Sequence, residues 1–111
     1  MVRKNFGAIP DEVLSFALEE LRKISSGEII FVAQDGVLMQ VEIIFRRRLS
    51  DWSTKFSPLS EELLKNLSEQ IRKEFSRLLY GRLVVKIQKG RVTQIERTIQ
   101  QRFTGLDGEG I

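Results

Sequence analysis

The chain has 111 residues, of which 41% are hydrophobic and 30% charged, and its 18 Lys and Arg against 15 Asp and Glu give a formal net charge of +3. This length has room for one compact domain, or for two half-size units that share one core. Because there is no cysteine and no histidine, disulfides, thiolate zinc sites, thiol nucleophiles and Ser–His or Cys–His dyads are excluded.

The first predicted element is a helix that begins at Pro10. Proline suits the first helical position, where its missing N–H has no intrahelical partner to lose. Asp11 and Glu12 follow and place negative charge near the positive end of the helix. Apolar residues then recur at helical spacing, namely Val13, Leu14, Ala17, Leu18 and Leu21. Residues 1–9 lack such a pattern and are expected to form a flexible arm.

The period of the pattern changes to two after Gly27, which predicts a β-hairpin. Residues 28–33 are rich in β-branched and aromatic side chains, as strands are. Gln34, Asp35 and Gly36 form a turn signal, and a returning strand runs from Val37 to about Phe45.

A linker over residues 49–59 leads to a second helix and a second hairpin. Ser60 and the acids that follow it repeat the chemistry of a helix start. The second apolar stripe consists of Leu63, Leu64, Leu67, Ile71, Phe75 and Leu78. Gly81 ends this helix, and the second hairpin turns at Lys89 and Gly90. Residues 104–111 show no periodicity and are expected to be a flexible end.

The two halves of the chain follow the same plan, which indicates an internal duplication. In the hairpins Gly27, Gln34, Gly36, Gln40, Glu42 and Arg48 recur 54 residues later as Gly81, Gln88, Gly90, Gln94, Glu96 and Arg102. One α-β-β unit buries too little surface alone, whereas two can complete one core. The sequence therefore predicts a single α+β domain over residues 1–111, made of repeats at about 10–49 and 58–103. Its four-stranded, mostly antiparallel sheet would have two helices on one face.

The length of the hairpin turn decides which side chains face the core. A three-residue turn with Gly36 in the left-handed conformation buries the largest apolar set, and it is therefore preferred. That set is Ile29, Phe31, Ala33, Val37, Met39, Val41 and Ile43. In the second hairpin the same register buries Leu83, Val85, Ile87, Thr93 and Ile95, puts Arg91 and Arg97 at the rim of that face and leaves Val92 outside.

The opposite face of the sheet is the candidate interaction face. It is expected to carry Gln34, Gln40, Glu42, Gln88, Gln94 and Glu96, together with the apolar residues Ile30, Val32 and Leu38. A contiguous apolar patch on a sheet often marks an interface. A protein partner, most simply a second copy of the chain, is therefore expected to cover the outer face of the first hairpin.

The second hairpin reads YGRLVVKIQKGRVTQIERTIQQRF from Tyr80 to Phe103. A Tyr-Gly before a hairpin, a Gln-Ile-Glu-Arg-Thr run and a late Arg-Phe resemble the YezD-like family of small bacterial proteins. The resemblance covers about residues 62–103, and the first half looks like a diverged second copy. What it implies is a bacterial, cytoplasmic protein without an assigned activity, and it offers no catalytic or ligand residues to carry over.

The function expected from these patterns is a non-enzymatic interaction or regulatory module. Residues 72–102 hold nine Lys and Arg against two acids, so nucleic-acid binding is the alternative. The candidate phosphate contacts are Arg82, Lys86, Lys89, Arg91, Arg97 and Arg102. No catalytic, metal or cofactor residues are expected, and neither a signal peptide nor a membrane span is indicated. The expected location is the cytoplasm.

Overall fold

The structure, a computed structural model, describes residues 8–46 and 59–101. The elements follow in the order α1 (Asp11–Lys23), β1 (Ser26–Gln34), β2 (Val37–Phe45), α2 (Glu61–Phe75), β3 (Gly81–Gln88) and β4 (Arg91–Ile99). All neighbouring strands are antiparallel, and the sheet has the order β2-β1-β3-β4. The predicted α+β class, with two helices and a four-stranded antiparallel sheet, is confirmed.

Both helices begin where the sequence signals indicate. Pro10 is the residue before α1, in an extended conformation, rather than the first helical residue. Ser60 caps α2, and its hydroxyl accepts a hydrogen bond from the amide of Leu63 at 3.2 Å. In the described ranges neither helix has the length and apolar composition needed to cross a membrane.

The core lies between the two helices and one face of the sheet, here called the inner face. Its buried side chains come from both helices and from the two central strands, and they include Leu14, Ala17, Leu21, Leu64, Leu67, Ile71, Phe75, Ile29, Phe31, Ala33, Leu83, Val85 and Ile87. Both helices therefore cover the same face, as predicted. Leu63 is an exception to the predicted apolar stripe, because its side chain is exposed.

The core also includes Ile9, which was expected to belong to a flexible arm. Its side chain is buried, and its carbonyl oxygen accepts a hydrogen bond from the Arg72 guanidinium at 3.1 Å. The same guanidinium forms an ion pair with Asp11. Arg72 thus ties the end of α2 to the start of α1. Residues 1–7, most of the linker and the expected C-terminal end, residues 104–111, lie outside the described residues.

The two hairpins have the same register at a spacing of 54 residues. Ile30 lies opposite Glu42 in the first hairpin, and Val84 lies opposite Glu96 in the second. Both ladders shift by one residue at equivalent places, between Val32 and Ala33 and between Lys86 and Ile87. The β1–β2 and β3–β4 ladders are therefore alike residue by residue.

The turns differ from the predicted three-residue turns. Gln34 pairs with Val37, so only Asp35 and Gly36 form the first turn, and both have positive φ angles of 55° and 73°. This is the geometry of a two-residue type I′ turn, whose twist matches that of the strands. A β-bulge at Met39 then adds the extra residue that restores the predicted faces for Val41 and Ile43.

Four side chains next to the turns consequently change sides. Leu38 and Val92, expected on the outer face, lie opposite Ala33 and Ile87 and pack against the core. Val37 and Arg91, expected on the inner face, instead lie opposite the exposed Gln34 and Gln88. The bulge residues Met39 and Thr93 were expected to be buried, but both are exposed, Met39 by 59%.

Candidate functional site

The face of the sheet opposite the helices, here called the outer face, is organised around one row of four side chains. Ile30 lies between Glu42 and Val84, and Val84 lies between Ile30 and Glu96. The row therefore reads Glu-Ile-Val-Glu across the four strands. Ile30 is 5% exposed and Val84 9% exposed, although within the described ranges no helix or strand covers this face. The two apolar residues at the centre of the row are therefore largely shielded from solvent.

A glutamine holds each carboxylate of this row from the same strand. The Gln40 amide donates a hydrogen bond to Glu42, and the Gln94 amide donates one to Glu96. Residues two apart in a strand point to the same face, which makes these contacts local. The two flanks of the row therefore have the same construction, as the repeated Gln-x-Glu spacing predicts.

The two carboxylates differ in their charged neighbours. The ammonium of Lys86 forms an ion pair with Glu96 at 2.8 Å. The position equivalent to Lys86 in the first half is Val32, and no cation pairs with Glu42 among the described residues. Glu42 therefore presents an uncompensated negative charge, held by Gln40 beside the apolar centre of the face.

The electrostatics of Lys86 follow from this contact. Its ammonium donates a hydrogen bond to Glu96 and lies beside that negative charge, and both effects raise the pKa of Lys86 above its ordinary value of 10.5. The charge of Lys86 is thus already neutralised within the chain, which leaves it less available to an external phosphate.

The predicted interaction residues lie on the outer face with one exception. Gln34 and Gln88 are exposed at the turns, Val32 is half-buried, and the Gln-Glu pairs flank the central row. Leu38 is the exception, because the bulge turns it toward the core. The apolar patch of the first hairpin therefore consists of Ile30, Val32 and Ile44, with Val37 beside the turn in place of Leu38.

The predicted phosphate contacts do not share one surface. Arg82 and Lys86 project from the outer face, whereas Arg97 lies opposite Leu83 on the inner side and forms an ion pair with Glu74 at 3.0 Å. Lys89 is in the turn and Arg91 lies beside it. Arg102 lies outside the described residues. The expected basic surface is thus divided between the two sides of the sheet.

A cleft of about 570 Å³ occupies one end of the outer face. Its walls combine both charges, since Glu28 and Arg46 form an ion pair at 2.9 Å and Lys86 faces them from the next strand. Gln88 and Gln94 complete its polar lining. Across the described ranges no three acidic side chains come close enough together to hold a metal ion.

These features define a small α+β protein whose sheet has one helix-covered face and one face that no described helix or strand covers, with Glu42 and Glu96 at the two ends of its central row. A family model described as an uncharacterized small protein (DUF2292) matches residues 67–103, and the chain is similar to that family over this stretch. The stretch contains the end of α2 and the whole second hairpin. No curated protein and no solved structure matches the chain. The expected likeness to a small uncharacterised family is confirmed in this form, and the family description assigns no activity.

Proposed function

We propose that the chain is a small cytoplasmic bacterial protein that works as a non-enzymatic interaction or regulatory module, and that its outer face binds a protein partner. The observation that carries the proposal is the Glu42–Ile30–Val84–Glu96 row. Beside this row Val32 and Ile44 are only half-buried, and accessible apolar residues with a polar rim are the usual anatomy of a protein interface. The bacterial and cytoplasmic assignments rest on the resemblance of the second hairpin to the YezD-like family.

The chemistry of the face indicates what the partner must supply. Glu42 and Arg82 have no oppositely charged partner among the described residues, and both lie next to the Ile30–Val84 centre. A partner with one cation for Glu42 and one anion for Arg82 would complete these contacts. A second copy of the chain or another protein could provide this set.

The non-enzymatic part of the proposal rests on the residue types. Without His or Cys, catalysis would need carboxylate pairs or a lysine with a lowered pKa. Glu42 and Glu96 stand at opposite ends of the central row, separated by two strands. The pKa of Lys86 is raised rather than lowered. Both observations support a role in recognition rather than in proton transfer.

The two halves are proposed to derive from duplication of one α-β-β unit. Three relationships support this origin: the recurrence of glycine, glutamine and glutamate 54 residues apart, the common register and the common bulge position. The first half would then be a diverged copy of the YezD-like second half. Its divergence at Val32, where the second half has Lys86, leaves Glu42 without a cation.

Nucleic-acid binding is the second candidate, and one observation favours it. Arg82, Lys89 and Arg91 have no acidic partner within the described ranges. They lie at different ends of the second hairpin, and aromatic side chains for stacking against bases are absent from β3 and β4. The protein-binding proposal therefore has the stronger support.

The test is affinity purification from the native host, with and without nuclease, using the wild type and two matched variants. Val32→Lys places on the outer face the residue that the second half has at the equivalent position, so the fold should tolerate it. Phe16→Lys changes an exposed residue of α1 and serves as the control. A protein partner that is lost with Val32→Lys, kept with Phe16→Lys and insensitive to nuclease supports the proposal. A nuclease-sensitive partner that is lost only with Arg82→Glu supports the alternative.

A further inference from the structure

The open edge of β2 is the part of the molecule that the outer-face proposal does not use. β2 is an outermost strand of the sheet, and among the described residues no strand lies beyond it. The amide of Arg46 donates to the carbonyl of Ser26 at 2.8 Å. This bond establishes which residues of β2 direct their backbone groups toward β1. Because bonding direction alternates along an antiparallel strand, Glu42 and Ile44 bond toward β1. The backbone groups of Val41, Ile43 and Phe45 therefore point to the open edge.

The other edge strand, β4, provides an internal comparison. It has the same register and the same bulge, so the two edges face the same structural demands. At the positions where β4 has Arg91, Thr93, Arg97 and Thr98, β2 has Val37, Met39, Ile43 and Ile44. Natural edge strands avoid unwanted pairing with charged residues and proline. β4 has such charges, whereas β2 has a single acid, Glu42, and no lysine or proline.

The exposed side chains along β2 add to this difference. Met39 is 59% exposed and Phe45 is 56% exposed, and both flank the backbone groups that point outward. A nine-residue apolar strand with free backbone groups is a template for another strand. β2 therefore lacks the charged residues with which β4 discourages pairing, as expected of an edge strand that pairs with another strand.

We propose that β2 pairs antiparallel with β2 of a second copy, so that two four-stranded sheets become one continuous sheet with all helices on one side. The register places Ile44 opposite Ile44 of the second copy and Ile43 opposite Phe45. Ile43 and Phe45 have outward-pointing backbone groups, so they become hydrogen-bonded pairs. An isologous contact of this kind closes on itself and stops at a dimer.

Charge complementarity selects this register. With Ile44 at the two-fold axis, Glu42 lies directly opposite Arg46 of the second copy. Opposite charges that face each other across two strands form a favourable pair. Glu42 has no cation within its own described chain, and Arg46 lies at the same outer face, bonded to Glu28. An axis at Ile43 would place Glu42 diagonal to Glu42 of the second copy as well as to Arg46, and an axis at Glu42 would place the two Glu42 carboxylates directly opposite each other.

The edge and the outer face are different surfaces, so this inference does not depend on the proposed function. Dimerisation through β2 leaves both outer faces open and places them side by side. A partner that bound the outer face would then meet twice the surface.

Analytical ultracentrifugation of the full chain at tens of micromolar tests the inference, with circular dichroism to verify folding. The wild type is expected at twice its chain mass of 12.8 kDa. Ile43→Pro removes a donor from the open edge without breaking the β1 ladder, and it is expected to weaken association roughly thirtyfold. The matched variant Arg97→Pro makes the same change on β4 and is expected to leave the dimer intact.

A second matched pair covers the case in which Ile43→Pro does not fold. Phe45 and Ile99 are equivalent residues and are equally exposed, at 56%. Phe45→Lys is expected to weaken the dimer about tenfold, since the lysine meets Ile43 twice per dimer, whereas Ile99→Lys is expected to have no effect. A monomeric wild type overturns the inference. So does a dimer that survives Phe45→Lys but is lost with Val32→Lys, which would place the contact on the outer face.

Discussion

Ile30 lies opposite Val84 at the centre of the sheet, and the two residues are separated by 54 positions, which is also the spacing between the two hairpins. A residue of β1 and its equivalent in β3 are therefore paired with each other. This arrangement arises only when a two-fold axis passes through the sheet between them. The centre of the sheet is thus also the centre of the symmetry that relates the two hairpins.

The same symmetry extends to the ends of the central strands. The amide of Gly36 donates to the carbonyl of Leu79 at 3.0 Å, and the amide of Gly90 donates to the carbonyl of Ser25 at 2.9 Å. These contacts are equivalent at the spacing of 54. Each hairpin tip is thus anchored to the chain that enters the other hairpin, which couples the two halves into one folding unit.

The glycines that open β1 and β3 should not tolerate a side chain. A Cβ at Gly81, where φ is 141°, would lie 1.9 Å from the carbonyl oxygen of Thr98, and one at Gly27 would lie 1.9 Å from that of Ile44. Alanine at either position is expected to reduce the free energy of unfolding by at least about 2 kcal/mol. Urea denaturation measures this, with the exposed Gln88→Ala as control. Equal stability of Gly81→Ala and the control would contradict the close approach of β4.

Because of the β-bulge, substitutions at two adjacent residues are predicted to differ in their effect on stability. Leu38 packs against the core, so Leu38→Ala is expected to lower the free energy of unfolding by about 1–2 kcal/mol. Met39 is exposed, so Met39→Ala is expected to change it by less than about 0.5 kcal/mol. Denaturation of the two variants side by side measures the difference. A reversed order would indicate the three-residue turn instead.

A hydrogen bond from the Tyr80 hydroxyl to the Asp35 carboxylate joins β3 to the tip of the first hairpin. The equivalent positions in the other half are Ser26 and Lys89, so the contact exists at one end of the sheet. A double-mutant cycle of Tyr80→Phe and Asp35→Ala is expected to give a coupling free energy of roughly 0.5–1 kcal/mol. The cycle of Ser26→Ala and Lys89→Ala is expected to give none. Additive effects at Tyr80 and Asp35 would refute the contact.

The contact between Lys86 and Glu96 predicts a pH dependence with a definite sign. The folded-state pKa of Lys86 is raised above 10.5 because the ammonium bonds to Glu96. Its contribution to stability is therefore fully present below that value and is lost as the pH rises through the folded-state pKa. NMR titration of the lysine ammonium is expected to show a lower pKa in Glu96→Gln. An unchanged pKa in that variant would show that the two groups do not interact.

Much of the fold could be predicted because it follows from local patterns. The apolar spacing of α1 and the glycines at the hairpin tips placed the elements and the inner face. The turn length could not be predicted, since a two-residue turn with a bulge and a three-residue turn give the same faces at Val41 and Ile43. The two differ only beside the turn, where Leu38 and Met39 exchange roles.

The sequence predicts which side chains of the candidate site share a face, because that depends only on the alternation of side chains along each strand. It does not predict which residues lie opposite each other on neighbouring strands. The Gln-x-Glu spacing correctly places Gln40 and Glu42 on one face. The cross-strand neighbours could not be predicted, because the two-residue turn and the bulge each shift the first ladder by one residue relative to a three-residue turn and together put Glu28 opposite Ile44. The strand order brings Ile30 and Val84 together, and no local pattern encodes that order. The division of the basic residues between two faces depends on the same long-range pairing.

The shared sheet centre can be tested most directly by a single NMR contact. The backbone hydrogen bonds from Arg46 to Ser26 and from Gln100 to Tyr80 set the direction of bonding in the central strands. The even-numbered residues of β1 bond toward β2 and those of β3 bond toward β4, so they do not bond to each other. Ile30 and Val84 must therefore form a non-hydrogen-bonded pair, with Cα atoms about 4.5 Å apart. A strong nuclear Overhauser effect is predicted between the Hα protons of Ile30 and Val84. Its absence, or a strong Hα–Hα effect between Ile30 and a residue other than Val84, would contradict the shared sheet centre.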